Sequence, residues 1–526
     1  MVETEEKLET IEVVKRNGKK VEFDGTKVAM AIKKGFDSVL LDSEENEKKY
    51  NTKDIQKVYQ AVIKKIAKDY LPLGKIKIEE IQDLIEENLK KYDYQDVYES
   101  FSEYRQRRAN ARIAFRDDKN MAKLQKSIEG LGLKSAAEED SKRENANIDG
   151  NTAMGTMLQF GSTISRAFTE AYLMKKKYAE AHSNGDIHIH DMDFEAMGTT
   201  TCTQIDLSKL FKNGFSTGHG FLREPKDIIS YAALAAIAIQ SNQNDQHGGQ
   251  SIPAFDYYMA PGVLKTFKKQ YKQAVYELLD FSDFISFINM DRVEKEIDKL
   301  TSIDVDTKVF EGIYKDSTEV KKIFEKGYET AYKKTNRQTY QAMEAFIHNL
   351  NTMHSRAGAQ VPFSSVNFGT DTSPEGRMVI KNFLLATDAG LGRNETPIFP
   401  ISIFKLRKGT NYEVTDPNYD LFKLAIKVSA KRLFPNFSFM DSSFNKPYYK
   451  GDYNTEVAYM GCRTRVMANV VDEDKAITPG RGNLSFTSIN LPRLGIKHGI
   501  VRNDKTDMKG FYEELGELMD LVKDQL

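Results

Sequence analysis

Two cysteines, Cys202 and Cys462, are the only thiols of this 526-residue chain. Isolated thiols are commonly inert core residues, and a reactive thiol needs a special environment. Gly461 permits close approach of the backbone beside Cys462, and Arg463 and Arg465 would favour anionic ligands nearby. The sequence therefore leaves two interpretations open, a pair of buried thiols or a pair of reactive ones.

Two histidines form a second candidate group. His188 and His190 alternate with Ile187 and Ile189, so on a β-strand both imidazoles lie on one face. Such a pair could bind a metal, but no third ligand with suitable spacing is evident. The alternative is that the histidines are structural or form the wall of a substrate site. We expect no metal here.

A third group is basic. Lys15 and Arg16 lie in a predicted tight turn, and Lys27 lies in the first turn of the helix that follows. Arginine binds phosphate oxygens through two N–H groups, and a helix N-terminus adds unpaired N–H donors. These cations could surround a triphosphate, or they could be ordinary surface residues of a solvated hairpin.

Short-range patterns predict the elements that hold the basic group. Residues 11–14 and 19–23 predict a β-hairpin, because Asn17-Gly18 suits a tight turn. Four helices should follow, since apolar residues recur at helical spacing. The first helix places Val28, Ile32, Phe36 and Val39 on one face. The other three are marked by Ile55, Val58, Val62 and Ile66; by Ile78, Ile81, Ile85 and Leu89; and by Val97, Phe101 and Tyr104.

The thiols and histidines lie in a second region of different composition. Residues 117–147 are densely charged and predict a linker. Beyond it, predicted helices at 164–181, 228–240 and 338–354 alternate with β-rich segments at 187–190, 361–368, 397–404 and 484–491. This alternation predicts an α/β fold with a buried sheet or barrel. The charged stretch 265–334 predicts solvated helices.

Composition excludes several classes of function. The chain has 76 Lys and Arg against 77 Asp and Glu, a net charge of −1, which argues against broad binding to nucleic acid or to an anionic membrane. No apolar run reaches the roughly 18 residues that span a bilayer. Two cysteines are too few for a disulfide scaffold or for a four-thiolate zinc site within this chain. We expect a cytoplasmic protein.

The basic hairpin resembles an ATP-cone, the regulatory nucleotide-binding domain at the front of many ribonucleotide reductases. The resemblance covers about residues 11–112 and includes Val-x-Lys-Arg-Asn-Gly, Phe23-Asp24, Lys27-Val28 and Tyr104-Arg105. It implies that Lys15, Arg16 and Lys27 contact a nucleotide, with ATP as activating and dATP as inhibiting effector. Asn17 stands where the family more often has Asp, and this should not disturb a turn.

The rest of the chain resembles the catalytic subunit of an anaerobic (class III) ribonucleoside-triphosphate reductase, a glycyl-radical enzyme. The similar segments are 145–151, the Ile-His-Ile-His-Asp strand, Cys202, Gln-His-Gly-Gly-Gln at 246–250, the Cys462 loop and the stretch from Gly482-Asn483-Leu484 to Pro492-Arg493. The resemblance implies an α/β fold made of an ATP-cone over 1–115, a charged linker over 116–147 and, over 148–526, the first part of a ten-stranded barrel.

The resemblance also implies a role for each candidate residue. Cys462 would be the transient thiyl that abstracts the ribose 3′ hydrogen, and Cys202 would deliver hydrogen to the 2′ carbon from the opposite face. Thr464 and Asn483 would hold the ribose hydroxyls. His188 and His190 would line the same pocket. The substrate would be a ribonucleoside triphosphate and the reductant formate, since the Cys-x-Glu arrangement of the aerobic classes is missing after Cys462.

Two family features are missing from the sequence. The loop that carries the radical glycine and the four-cysteine zinc site have no counterpart in these 526 residues. The resemblance implies as partners a radical-SAM activase and a second copy or a nucleotide-dependent higher oligomer. A separate polypeptide could supply the missing loop, and without one the chain would be a nucleotide-binding fragment that is catalytically incomplete.

Two other assignments fit less well. A formate-lyase-like glycyl-radical enzyme would place adjacent cysteines on the catalytic loop, and Cys462 has no neighbouring cysteine. A nucleotide-sensing repressor with an ATP-cone would need a zinc ribbon and a basic surface for DNA, and the composition supplies neither.

Overall fold

A computed structural model describes residues 8, 10–15, 19–40, 50–114, 152–282, 284–315, 317–356, 360–462, 464–472, 475–500 and 506–526. Arg16, Arg463, the segment 145–151 and the linker predicted at 116–147 lie outside these residues. The chain divides into two compact units. The front unit comprises 1–125 and 168–175, and the main unit comprises 126–167 and 176–526.

The front unit is a small sheet with four helices. Its strands are β1 Glu12–Val14, β2 Lys20–Glu22 and β3 Lys75–Lys77, and its helices are α1 Gly25–Leu40, α2 Thr52–Asp69, α3 Ile78–Lys91 and α4 Gln95–Ala114, with a 3-10 turn at Leu71–Leu73. Strand β1 pairs antiparallel with β2, as predicted, and parallel with β3, which the sequence did not predict. Most of the apolar residues that mark these helices are buried, and Tyr104 on α4 is 60% exposed.

The main unit begins with elements around the His188 strand. They are α5 Ala153–Phe168, α6 Lys176–Asn184, β4 Ile187–Ile189, β5 Cys202–Gln204, α7 Leu207–Asn213, β6 Phe215–Ser216, β7 Phe221–Leu222 and α8 Ile228–Asp245, with a 3-10 turn at Glu195–Met197. A π-helical turn at Thr169–Leu173, which belongs to the front unit, follows α5 in the chain, and extended backbone at Met174 separates it from α6. The continuous helix predicted at 164–181 was therefore wrong.

The middle of the main unit is mostly helical. It contains β8 Gln250–Ile252, α9 Phe255–Phe281, α10 Met290–Asp298, α11 Glu311–Tyr314, α12 Thr318–Thr352, β9 Ser364–Phe368, α13 Pro374–Ala389, β10 Ile401–Leu406, α14 Tyr419–Arg432 and β11 Asn436–Phe439, with 3-10 turns at Ile285–Phe287 and Thr307–Phe310. The charged helices of 265–334 are solvated on one side only, because Phe267, Tyr271 and Phe324 are fully buried on the other.

The last segment of the main unit contains short strands. They are β12 Ala458–Tyr459, β13 Arg465–Val466, β14 Gly482–Asn483 and β15 Thr487–Ile489; 3-10 turns at Lys446–Tyr448 and Tyr453–Thr455 precede them, and helices α15 Leu491–Lys497 and α16 Met508–Gln525 follow. The strand predicted at 484–491 is correct only for Thr487–Ile489. Asn490 caps α15 by accepting from the backbone N–H of Arg493, so residues 491–493 are helical.

A six-stranded sheet organises the main unit. The strand order is β11-β10-β9-β8-β5-β14, in which the first five strands are parallel and β14 is antiparallel. Helices connect successive parallel strands, and their apolar residues pack on the sheet, as where the rings of Phe368 on β9 and Phe383 on α13 meet edge to face with centroids 5.0 Å apart. Among the described residues, no helix combines the length and apolar character needed to cross a membrane.

The face of this sheet opposite the connecting helices carries the residues of the candidate site. Paired residues of neighbouring strands point to the same face, so the register Gln204↔Ser251↔Ser365↔Ile401 defines one row of side chains. Cys202 lies on this face, because it precedes Gln204 by two residues.

Candidate active site

The two cysteines meet on this face. The Sγ atoms of Cys202 and Cys462 lie 4.0 Å apart. Cys202 begins strand β5 and is buried, whereas Cys462 lies at the tip of the β12–β13 hairpin and is exposed. The structure thus brings together the two cysteines that the sequence analysis singled out, and only one of them is buried.

Glycines of the 246–250 motif wrap the backbone around Cys202. The N–H of Gly249 donates a hydrogen bond to Cys202 Sγ at 3.2 Å, and the N–H of His247 donates to the Thr200 carbonyl. A Cβ on Gly248 would lie 1.4 Å from the carbonyl oxygen of Thr201, so no larger residue fits. The motif thus provides a close backbone cradle for one sulfur.

The hairpin places Cys462. Thr464 Oγ1 lies 3.1 Å from Cys462 Sγ, and the N–H of Met460 donates to the Thr464 carbonyl across the turn. A Cβ on Gly461 would lie 2.8 Å from Ile401 Cδ1, so glycine lets the hairpin pack onto the sheet. The Arg465 guanidinium donates to the Phe444 carbonyl at 2.9 Å, an interaction that the sequence did not predict.

The contact between the two sulfurs shifts the pKa values of the two thiols in opposite directions. A hydrogen bond from the Cys202 thiol lowers the pKa of Cys462 to about 5. The same contact, together with burial, raises the pKa of Cys202. Cys462 is therefore the thiol of the pair that loses its proton first.

Asn483 lies directly beside Cys202. The two residues are register partners of the antiparallel β14–β5 pair, so their side chains project to the same face. Gly482 makes this pairing close, because a Cβ there would lie 2.1 Å from the Cys202 carbonyl oxygen.

The histidines lie on the β4–β15 pair, where Ser488 is the register partner of His188. His188 is exposed between the buried Ile187 and Ile189, in the predicted alternation. His190 Nε2 is 2.7 Å from Ser488 Oγ, and its ring stacks on Phe486 with centroids 4.0 Å apart. Burial lowers the pKa of His190. No group of three or more His, Cys, Asp or Glu side chains could hold a metal within the described ranges.

Of the three predicted nucleotide-binding cations, the described residues place only Lys27 at a cavity. Lys27 lines a cavity of about 750 Å³. Lys15 does not line this cavity, and Arg16 lies outside the described residues. Lys27 Nζ is 3.0 Å from Asp24 Oδ2. The other cavity-lining residues include Ser38, Gln82, Ser100, Tyr104 and Arg105.

Sequence reasoning missed two buried amides on the Cys202 face. Gln204 is 1% exposed, and neither atom of its carboxamide has a hydrogen-bond partner among the described residues. Its position two residues after Cys202 was a usable signal. Asn367 is 0% exposed and hydrogen-bonds the Cys462 hairpin, which no local pattern indicates.

Comparison with known families agrees with this geometry. Residues 144–526 match the family described as anaerobic ribonucleoside-triphosphate reductase, and residues 11–110 match the ATP cone domain. The chain belongs to the anaerobic ribonucleoside-triphosphate reductase family. The predicted α/β class is confirmed, with an ATP-cone at the front and a curled sheet that forms part of a barrel.

Individual relatives of this reductase family were also found. The anaerobic ribonucleoside-triphosphate reductase of Haemophilus influenzae is 27% identical over 516 residues, which are 98% of this chain and 62% of that protein. The Escherichia coli protein is 26% identical over 520 residues, which are 98% of this chain and 62% of that protein. The phage T4 protein is 29% identical over 410 residues, which are 77% of this chain and 58% of that protein. The chain thus spans about 62% of the length of its bacterial relatives.

Solved structures of the same reductase class are similar to the chain at lower identity. The anaerobic ribonucleotide reductase from Thermotoga maritima in complex with dATP and CTP gives a TM-score of 0.41 at 12% identity, over 73% of this chain and 57% of that one. The form of the same enzyme with MES in its active site gives a TM-score of 0.44 at 12% identity, over 75% of this chain and 56% of that one.

Proposed function

We propose that this chain reduces ribonucleoside triphosphates to 2′-deoxyribonucleoside triphosphates through its two thiols. The observation that carries the proposal is the 4.0 Å contact between Cys202 and Cys462. Replacement of a 2′ hydroxyl by hydrogen requires a radical at the neighbouring 3′ carbon, because the 2′ carbon is not otherwise activated. Sulfur suits this chemistry, since S–H and ribose C–H bonds are similar in strength and hydrogen can leave and return.

Each sulfur has a separate role in the proposed reaction. Cys462, as a thiyl, takes the 3′ hydrogen and later returns it. Cys202 delivers a hydrogen to the 2′ carbon after the hydroxyl has left as water. Formate supplies the two electrons and leaves as carbon dioxide, so that one C–O bond is replaced by one C–H bond. The family's glycyl radical is the one-electron oxidant that would start each cycle at Cys462.

The sulfurs must move apart when substrate binds. A sugar ring between them needs a contact of about 3.5–4.0 Å on each side, or about 7 Å between the sulfurs. The observed separation is 4.0 Å. Cys462 is the exposed member of the pair, so rotation of its side chain is the simplest movement that opens the space.

Polar groups beside each sulfur would orient the ribose. We propose that Thr464 Oγ1, 3.1 Å from Cys462 Sγ, and the Asn483 side chain beside Cys202 bind the sugar hydroxyls. His188 and His190 lie on or beside β4, which pairs with β15 shortly after Asn483 in the chain, and we propose that they form part of the wall of the site.

The family's zinc does not fit the residues present. A structural four-thiolate site needs four cysteines, and both cysteines of this chain are engaged with each other. We therefore derive no step from zinc. The family's radical glycine also has no matching motif in this sequence, and a polypeptide that carries this glycine loop is proposed as a partner.

The front unit would regulate the reaction through adenine nucleotides. Lys27 and its cavity are proposed to bind ATP as activator and dATP as inhibitor, together with Lys15 and Arg16. Assembly as a homodimer or a nucleotide-dependent oligomer and activation by a radical-SAM enzyme are part of the same proposal.

Isotope exchange tests the two thiol roles separately. The chain would be assembled anaerobically with activase, S-adenosylmethionine, formate and CTP labelled at the ribose 3′ position, with and without a polypeptide carrying the glycine loop. Cys462→Ser should lose both product and exchange of the 3′ hydrogen. Cys202→Ser should retain the first abstraction and release free cytosine. Deoxynucleotide formation by either variant would contradict the assigned roles.

A further inference from the structure

The Cys462 hairpin is too short to position itself. Strands β12 and β13 contain two residues each, and an isolated two-stranded hairpin is at best marginally stable in water. The distance between Cys462 and Cys202 therefore depends on how this hairpin is attached to the sheet that carries Cys202.

Asn367 makes the central attachment. Its Nδ2 donates to the Tyr459 carbonyl at 2.8 Å, and its Oδ1 accepts from the Tyr459 N–H at 2.8 Å. The carboxamide thus satisfies both backbone groups of one residue, as a neighbouring β-strand would. Nδ2 also lies 3.2 Å from the Ile252 carbonyl, which fixes the plane of the amide.

A second contact sets the direction of the hairpin. The N–H of Gly461 donates to Ser365 Oγ at 3.2 Å. Ser365 precedes Asn367 by two residues on β9, whereas Gly461 follows Tyr459 by two. The hairpin strand therefore runs antiparallel to β9 across its face, and Cys462 is the next residue beyond the second contact.

The chemistry of the position favours asparagine. Leucine has a similar size but would leave the Tyr459 N–H without the Asn367 acceptor and the Tyr459 carbonyl with only the longer hydrogen bond from Ser251 Oγ at 3.2 Å. Aspartate could accept from the N–H but, when ionised, would oppose the carbonyl oxygen. Unpaired buried polar groups are costly, so the hairpin of either variant should shift or loosen.

We infer that Asn367 is the positioning residue for Cys462, and that its pairing with Tyr459 holds the two sulfurs in register. Its effect on turnover rests on the proposed function, whereas its effect on sulfur geometry does not.

The equilibrium between the two thiols and a glutathione redox buffer measures this geometry. When the Cys202–Cys462 disulfide forms, two S–H bonds are lost and one glutathione disulfide is reduced to two glutathione molecules. Asn367→Leu should lower the equilibrium constant at least tenfold, which corresponds to about 30 mV for a two-electron couple. Asn367→Asp should lower it less, because one hydrogen bond is retained.

Asn436→Leu is a matched control. Asn436 and Asn367 are both register partners of Ile403, one on each side, so they share one row of the sheet. Asn367 hydrogen-bonds both backbone groups of Tyr459, whereas Asn436 Nδ2 has no partner among the described residues. The control should leave the equilibrium constant unchanged within about twofold.

The outcomes decide the proposal. The proposal is overturned if the equilibrium constant of Asn367→Leu lies within twofold of the wild-type value, or if Asn436→Leu lowers the constant as much as Asn367→Leu does. It is also overturned if the wild-type chain never forms the disulfide. If Asn367→Leu does not fold, Asn367→Asp decides by the same criterion. Hydrogen exchange at the Tyr459 amide should also accelerate in Asn367→Leu, which loses the acceptor of this N–H, and not in Asn436→Leu.

Turnover provides a separate readout. In the assembled enzyme, Asn367→Asp should lower kcat while KM for CTP stays unchanged, because the residue acts on a sulfur and not on the nucleotide. If no variant and no wild-type assembly reduces CTP, the proposed function fails, and the glutathione equilibrium still decides the role of Asn367.

Discussion

Glu456 forms an ion pair with Lys405 at 3.0 Å, and both side chains are only 1% exposed. Arg407 contacts the other carboxylate oxygen at 2.6 Å, and the Thr370 hydroxyl donates at 2.9 Å. Glu456 precedes the first strand of the Cys462 hairpin by two residues, so this buried cluster attaches the base of the hairpin to strand β10. A buried pair of this kind is costly to break from one side, because the remaining charge loses its partner.

Removal of the Glu456 charge should therefore destabilise the main unit strongly. Glu456→Gln leaves Lys405 buried and unpaired, and we expect a loss of about 3–5 kcal/mol in the free energy of unfolding, measured with urea. The double variant Lys405→Met with Glu456→Gln should recover part of this loss. Glu329→Gln, in the exposed pair with Lys326, is the control and should leave stability nearly unchanged. Equal effects of Glu456→Gln and Glu329→Gln would contradict the prediction.

Asp371 should make stability depend on pH. Burial, together with repulsion from Asp256, raises the pKa of Asp371 to about 7 from its ordinary value near 3.8. Between these two values the folded state binds a proton that the unfolded state does not, so stability falls as pH rises through this range.

Asp371→Asn keeps the Oδ1 acceptor for the Ser373 N–H and removes this titration. The Tm of Asp371→Asn relative to the wild type should therefore increase between pH 5 and pH 8, when followed by calorimetry. Asp291→Asn, on the exposed first turn of α10, serves as the control and should show no such trend. A constant Tm difference across the range would show that Asp371 stays ionised in the folded state.

Cys462 should react with iodoacetamide well before Cys202. The hydrogen bond from Cys202 lowers the pKa of Cys462 to about 5, so its thiolate is present at neutral pH, whereas Cys202 is buried with a raised pKa. Peptide mass spectrometry at pH 7 should find the label on Cys462. In Cys202→Ala the alkylation midpoint should shift to higher pH, because the main cause of the low pKa is gone. Equal labelling of both thiols would contradict the observed contact.

Lys27 should contribute to ATP binding at the front unit. Thr26, followed by Lys27, lowers the pKa of Asp24 to about 2, so a bound triphosphate must compete with an ionised carboxylate for Lys27. A charge-assisted contact contributes about 1.5–3 kcal/mol to binding, so Lys27→Ala should weaken the affinity for ATP about tenfold or more, as measured by calorimetry. Lys33→Ala is the control on the same helix, since Lys33 pairs with Asp37 and does not line the cavity. Unchanged affinity for Lys27→Ala would remove this residue from the site.

Elements with a strong local period were predictable from the sequence. Val28, Ile32 and Phe36 recur at helical spacing and are buried on one face of α1, and Ile187 and Ile189 alternate with the exposed His188 on β4. These patterns arise from neighbouring residues that share one element. Prediction failed where a break has no strong signal, as at Met174, and where pairing is distant, as for β3 beside β1.

By itself, the sequence determined the reductase and ATP-cone motifs, the α/β alternation and the identity of the two thiols. Only the tertiary structure decided that Cys202 and Cys462 touch, that Asn367 pairs with Tyr459, and that Lys405 is buried against Glu456. The physical reason is that each of these contacts joins residues on different elements, so it depends on strand order and register. Those are settled by the packing of the whole sheet and its helices, which no local period encodes.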